Sequence, residues 1–339
     1  MHMTKRWTAE EVLNTVRAFQ PACIITAAAD LDVFTALQNE PLTARSLSAA
    51  LKTNLRATTV LLDALTALGF LIKKGDHYSI IPEVTGILTE AEPKSILPAV
   101  RHLANCHRRW MQLAQVVKYG RPAERKASIR GEAADIASFI GAMDNFSGPI
   151  AEEIVRKRLI LKSKPLTFTH LLDIGTGCGT WAIAFLRINP QAKATLFDLP
   201  DVIPLTRKYL DDANLTHRVS FIQGDYNQDD LPEGADLAWL SAVTHQNSRE
   251  GNRALFTKIY NALADNGSFV IRDVVMDPSR TTPVAGALFA INMLVSTESG
   301  GTFTFEEFEE DLIAVGFTNI ELIYHNEAMN SLIRAEKSR

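Results

Sequence analysis

From residue 170 onward, short apolar runs alternate with segments of helical periodicity, and this alternation constrains the fold more than any other feature. The runs are His170–Ile174, Ala194–Asp198, Val219–Gln223, Leu237–Ser241 and Ser268–Val275. Between them, Trp181–Ile188, Ile203–Ala213 and Arg249–Leu263 repeat apolar residues at helical spacing. Continuous apolar strands are buried on both faces, and strand–helix alternation links them by crossovers into a mostly parallel sheet. Two helices, Val284–Val295 and Phe305–Val315, come next, followed by two closely spaced strands, Asn319–Tyr324 and Met329–Ala335. That last pair is expected to form an antiparallel edge.

The first half reads differently. Helical periodicity runs through Val12–Phe19, Ile24–Leu37, Leu42–Leu51 and Val60–Leu68, ended by Gly69. Phe70–Ile72 and Tyr78–Ile81 flank the turn Lys73-Lys74-Gly75-Asp76 and read as a hairpin. Helices followed by a hairpin in this order look like a winged helix. Leu97–Tyr119 and Ile136–Leu161 read as two longer helices, separated by the polar stretch Gly120–Gly131. The expected division is therefore 1–95, a connecting helical part 96–165, and an α/β part 166–339.

At 339 residues the chain exceeds one ordinary core, which fits that division. A hydrophobic fraction of 46% and a charged fraction of 22% describe an ordinary globular protein, and the net charge of −4 argues against a generic polyanion-binding surface. The would-be recognition helix of the wing, Asn54–Leu68, carries one basic residue, Arg56. A DNA reader needs phosphate and base-edge donors there, so no nucleic-acid partner is expected. The apolar helices of residues 9–68 offer more hydrophobic face than one winged helix covers, which points to a twofold homodimer.

No apolar run reaches membrane-spanning length and no leader pattern opens the chain, so a cytoplasmic protein without a membrane partner is expected. Cys23, Cys106 and Cys178 match no metal or redox spacing and read as small packing residues. No metal is expected.

The segment Leu171-Leu172-Asp173-Ile174-Gly175-Thr176-Gly177-Cys178-Gly179 joins a predicted strand to a predicted helix. Its glycines allow a tight turn and close backbone approach to a ligand. The G-x-G-x-G spacing is not that of pyrophosphate binders, and Asp173 just before it suits the ammonium of S-adenosylmethionine while repelling a pyrophosphate. Asp198 ends the next strand, where an acid accepts ribose hydroxyls, and Asp225 follows the third, where an acid takes an adenine amino group. Acids of this kind also occur in ordinary turns. Three in register with a glycine loop point to a methyltransferase.

With these motifs assembled, the chain resembles the class I O-methyltransferases of the caffeic acid and hydroxyindole type, including bacterial small-molecule members. The resemblance rests on Asp173–Gly179, Phe197-Asp198-Leu199-Pro200, Gly224-Asp225-Tyr226 and Phe139…Met143…Ser147, and it spans nearly the whole chain. It implies a Rossmann-like sheet with an antiparallel edge behind an N-terminal helical winged-helix dimerisation domain, with S-adenosylmethionine as cofactor. Gly175, Gly177, Gly179, Asp198, Leu199, Asp225 and Tyr226 would line that cofactor, and Ser147 would bind its carboxylate end. Ser241 stands where many members place a cofactor-contacting lysine.

The resemblance also implies that His245 is a general base on the acceptor hydroxyl, oriented by Asp273. Here Gln246 and Asn247 follow the histidine in place of the family's Asp-Trp, and Thr302 stands where a second carboxylate is usual. A neutral imidazole suits a phenol-like proton, and such a base contributes about 10²–10⁴-fold. The alternatives are a merely structural histidine and an Asp273 paired with neighbouring Arg272. Met143, Asn292 and Met293 fall where the family lines its acceptor pocket, though Met at helical spacing is as readily core. Arg101, His102, His107, Arg108 and Arg109 cluster around Trp110, either as a solvated face or, through Arg109, to capture an acceptor carboxylate. The leading expectation is methyl transfer to a hydroxyl of a small, aromatic molecule. The other is S-methylation of a small thioether acid, or C-methylation, which needs no base.

Overall fold

The computed structural model describes residues 6–90, 92, 94–160 and 165–338. It divides into two compact units, Met1–Arg108 with Lys126–Asn145, and Arg109–Arg125 with Phe146–Arg339.

The first unit opens with α1 (Ala9–Arg17), whose N-terminus is closed by a reciprocal capping box between Thr8 and Glu11. It continues with α2 (Phe19–Asp30), α3 (Val33–Ala36), β1 (Leu42–Thr43), α4 (Ala44–Ala50), α5 (Leu55–Ala67), β2 (Leu71–Lys74), β3 (His77–Ile80) and α6 (Pro82–Leu88). Sequence periodicity placed Leu42 in a helix. It instead pairs with Tyr78 as a strand, and the helix begins after Thr43, whose hydroxyl accepts the Ser46 N–H. The three strands form one antiparallel sheet, and Phe34, Leu47, Leu62, Leu65 and Tyr78 fill the core beneath it.

The expected long helix Leu97–Tyr119 is two helices, α7 (Leu97–Trp110) and α8 (Leu113–Tyr119). At the break, the Gln112 amide donates to and accepts from the backbone of Glu124, a tertiary pairing that periodicity does not register. Next comes α9 (Glu132–Ile154), which runs into a π-helical segment Val155–Ile160; the expected last residue, Leu161, lies outside the described residues. Pro149 sits inside α9, just past the point where the chain passes from one unit to the other.

The second unit carries β4 (His170–Ile174), α10 (Thr180–Ile188), β5 (Lys193–Asp198), α11 (Ile203–Asp212), β6 (Val219–Gln223), β7 (Ala235–Ser241), α12 (Arg249–Ala262), β8 (Leu263–Asp273), β9 (Val275–Met276), α13 (Val284–Ser296), β10 (Phe303–Thr304), α14 (Phe305–Val315), β11 (Phe317–Tyr324) and β12 (Ser331–Lys337). Seven strands form one sheet in the order β11-β12-β8-β7-β4-β5-β6. β4 to β8 run parallel, and β12 and β11 add the expected antiparallel edge.

Side chains of successive strand residues alternate between two cores. Leu171, Leu237, Trp239 and Val270 face α10 and the end of α9, while Leu172, Ala238, Leu240 and Ile271 face α12 and α14. β8 begins earlier than its apolar run. Its pairing with β7 shifts between Ala235↔Leu263 and Leu237↔Ser268, and Asn266 in that loop adopts a left-handed φ of 60°. Among the described residues, no helix is long and apolar enough to cross a membrane.

Candidate active site

The glycine loop leaves β4 at Ile174 and returns into α10. Gly177 has φ +56° with no atom near a would-be Cβ, so backbone conformation alone demands glycine there. At Gly179 (φ +75°) a Cβ would also lie 2.5 Å from Leu210 Cδ2, so this residue lets α10 pack down. Asp198, at the end of β5, accepts the Gly177 N–H at 2.8 Å and the Leu199 N–H at 2.7 Å. Burial raises its pKa against these two bonds. A carboxylate offers about four acceptor sites, so capacity for ribose hydroxyls remains.

Asp173 is buried, with the Thr176 hydroxyl donating to it at 2.8 Å. Desolvation pushes its pKa up to about 7, the Asp198 charge adds to this, and bonds from Thr176 and the Ala182 N–H oppose it. Asp225 lies in the loop after β6, accepting from the Asn227 N–H and the Gln228 amide. Lys258 Nζ, reaching over from α12, donates to the Tyr226 and Asp229 carbonyls and pins that loop. The Tyr226 hydroxyl is pushed up to about 12 by burial and by the Asp225 and Asp198 charges. Among the described residues, no ion pair neutralises Asp173, Asp198 or Asp225. A glycine loop bordered by three unneutralised acids fits the ammonium, ribose and adenine amine of S-adenosylmethionine and disfavours a diphosphate.

β7 ends at Ser241, Ala242 takes a left-handed φ of 57°, and a short 3₁₀ turn, Thr244–Gln246, carries His245 inward to Asp273, on the face opposite Asp173. His245 is 6% exposed, and its Nδ1 lies 2.9 and 3.0 Å from the two Asp273 oxygens. The Thr244 hydroxyl and the Val274 N–H also donate to Asp273, at 2.6 and 2.8 Å. Burial raises the Asp273 carboxyl, but the His245 charge and these bonds outweigh it and hold its pKa below the ordinary value. With Nδ1 donating to Asp273, Nε2 is left as the imidazole's acceptor. The Phe289 ring meets the imidazole edge-on with centroids 4.7 Å apart.

Arg272 does not pair with Asp273 across the strand. Adjacent strand residues point to opposite faces, and its guanidinium donates to Ser241 Oγ and Asn330 Oδ1 on the α10 side.

The remaining candidates are scattered. Asn292 Oδ1 accepts the Trp110 Nε1–H at 2.9 Å, and Met293 is buried on the same helix, α13. Ser147 is buried near the start of the second unit's part of α9, Met143 lies in the first unit's part, and Arg109 is the penultimate residue of α7. Arg101 takes neither role expected of the basic cluster. Buried, it donates to the Ala29 carbonyl, Glu90 and Asp32, while Arg108 pairs with Asp30. Thr302 is buried and its carbonyl accepts from Arg280. Sequence reading missed Thr244 and Phe289. Thr244 is signalled only by adjacency to His245, and Phe289 by helical spacing from Asn292 and Met293.

Sheet, loop and acids together define a class I, S-adenosylmethionine-dependent methyltransferase. Comparison with known proteins agrees. Residues 110–318 match the O-methyltransferase domain family and residues 13–80 the O-methyltransferase dimerisation domain, so the chain belongs to the O-methyltransferase family. The tetracenomycin polyketide synthesis 8-O-methyl transferase TcmO of Streptomyces glaucescens is 27% identical, over 91% of each chain. The L-tyrosine C(3)-methyltransferase of Streptomyces lavendulae is 25% identical, over 90% of this chain and 85% of its own. The solved structure of PigF, an S-adenosyl-L-methionine-dependent methyl transferase of Serratia sp., with S-adenosylhomocysteine superposes with a TM-score of 0.84. It is 25% identical and covers 98% of this chain and 100% of its own.

Proposed function

We propose that this enzyme methylates a hydroxyl of a small, aromatic acceptor, with His245 as general base and Asp273 as its orienting partner, in a homodimer built on residues 1–95. The carrying observation is the buried His245–Asp273 pair, with Nδ1 held at 2.9 Å and Nε2 left to accept. Bound S-adenosylmethionine supplies a methyl group on a sulfonium, already activated for transfer.

The chain's part is then positioning and proton removal. Nε2 takes the acceptor's proton as the oxygen becomes nucleophilic, and Asp273 stabilises the imidazolium without itself taking the proton. Phe289, beside the imidazole, and Asn292 and Met293 on the same helix are the candidates for acceptor contact, and Met143 and Arg109 are carried over from the family resemblance. Asp173, Gly175, Gly177, Gly179, Asp198, Leu199, Asp225, Tyr226, Ser147 and Ser241 are assigned to the cofactor.

The test is single-turnover rate against pH with a saturating hydroxylated aromatic acceptor. His245→Ala is expected to lose about 10²–10⁴-fold with little change in cofactor affinity. A variant within threefold of wild type across the range removes the base assignment. Transfer instead to sulfur or carbon of the acceptor, read from the mass spectrum of the labelled product, removes the hydroxyl.

A further inference from the structure

We propose that Arg272 binds the α-carboxylate of S-adenosylmethionine, on the same sheet face from which Asp173 meets the α-ammonium. The inference rests on the cofactor assignment above and deepens it. It starts from strand alternation. Val270 belongs to the core formed by Leu171, Trp181, Leu237 and Trp239, and two residues on, Arg272 extends that face to the carboxyl edge of the sheet. Asp173 stands two residues past Leu171 on the same face of β4. The strand order β8-β7-β4 puts the two residues two strands apart, and the register Asp173↔Trp239↔Val270 sets Arg272 two residues further along, so their backbones are roughly 12 Å apart and the long arginine side chain has to span part of that gap.

Arg272 is 4% exposed, a position where a guanidinium normally has a carboxylate partner. Its hydrogen-bond and ring partners are neutral: Ser241 Oγ at 2.9 Å, Asn330 Oδ1 at 2.9 and 2.6 Å, and the Trp181 ring at 4.6 Å; the Asp273 charge, on the opposite face of the strand, offsets its burial only in part. These bonds engage three of the five guanidinium N–H groups, leaving two.

Asp173 is likewise buried without a cation. Burial displaces both groups toward neutrality, lowering Arg272 to about 10 and raising Asp173 to about 7. They are too far apart to neutralise each other, yet spaced to bracket an amino-acid zwitterion, with a hydrogen bond at each end. Two further features mark this face as the cofactor's. Trp181 lies in the first turn of α10, directly after the glycine loop, and Ala151 and Ile154, one turn and two turns beyond Ser147 on α9, pack into the same core.

The experiment is calorimetric binding of S-adenosylhomocysteine and of its decarboxylated analogue to the full-length protein. Wild type is expected to prefer the carboxylate-bearing ligand by about 10–100-fold, the range for a hydrogen bond to a charged partner. Arg272→Met should lose that factor for S-adenosylhomocysteine and leave the analogue's affinity unchanged, and Arg272→Lys should restore part of the preference. If circular dichroism shows Arg272→Met misfolded, Arg272→Gln, which keeps donors for Asn330 without the charge, gives the same comparison.

Equal wild-type affinities for the two ligands overturn the proposal. So does a variant that weakens both ligands alike, which marks Arg272 as packing only. Failure of wild type to bind either ligand removes the cofactor assignment itself, and the proposal with it.

Discussion

Asp173 couples the cofactor loop to pH in a way that one substitution isolates. Its folded-state pKa of about 7 stands well above the ordinary 3.8, chiefly from desolvation. Between those values the folded protein holds a proton that the unfolded chain has released, so stability falls as pH rises through the window. At about 1.4 kcal/mol per tenfold in proton affinity, the full penalty above pH 7 is about 4 kcal/mol, and none of it is present below pH 3.8.

Asp173→Asn removes the penalty and keeps an acceptor for Thr176, but it turns an amide N–H₂ toward the Ala182 N–H and forfeits that bond, at a cost of about 1 kcal/mol. The free variant is therefore expected to exceed wild type by about 3 kcal/mol at pH 8. The two should converge on acidification, with roughly 2–3 kcal/mol of the difference gained between pH 5 and pH 8. Because groups other than the coupled Asp198 titrate alike in both proteins, the difference between their thermal or urea unfolding curves at the two pH values reads Asp173 together with its coupling to Asp198. The variant should also bind S-adenosylmethionine more weakly at pH 8, having lost the charge assigned to the ammonium. Parallel pH dependences for the two proteins would show that the buried carboxyl is not the titrating group.

Two further outcomes follow from the site and the first unit. Asp198→Ala should weaken S-adenosylhomocysteine binding by about 10²-fold or more, as loss of a charged acceptor for two hydroxyls implies, while circular dichroism still shows a folded protein; unchanged affinity in a folded variant refutes the ribose assignment. Light scattering at micromolar concentration should return twice the chain mass, given the exposed apolar residues Val12, Leu13, Val16 and Phe19 on α1 and α2. A monomer would count against the dimer, as would a soluble, fully active protein lacking residues 1–90.

Most of the second unit was legible because its strands are buried on both faces and announce themselves as apolar runs. The edge pair Asn319–Tyr324 and Met329–Ala335 was found within a few residues of β11 and β12. What pattern reading lost were features fixed by partners distant in sequence. Gln112 breaks a helix by bonding Glu124, Leu42 becomes a strand by pairing with Tyr78, and Arg101 folds inward onto Glu90 and Asp32. At the site, the family resemblance pointed to His245 and Asp273, and the fold brings the two side chains within hydrogen-bond distance. That Thr244 donates to the same carboxylate, and that Arg272 turns away from it, depends on strand register, which a single sequence does not print.

The displaced pairing at the start of β8 divides that strand into two stretches with different tolerance for length change. Before Gly267 the strand already loops out around Asn266, so an inserted or deleted residue there can be taken up in the loop. From Ser268 to Asp273 every residue is matched one to one with both β7 and β12, or with β12 alone at the end. A one-residue slip in that stretch exchanges the two faces, setting a guanidinium against the His245 imidazole if the strand moves one way and a carboxylate against Trp181 if it moves the other. Drift in chain length during evolution of this enzyme is thus permitted on one side of Gly267 and barred on the other.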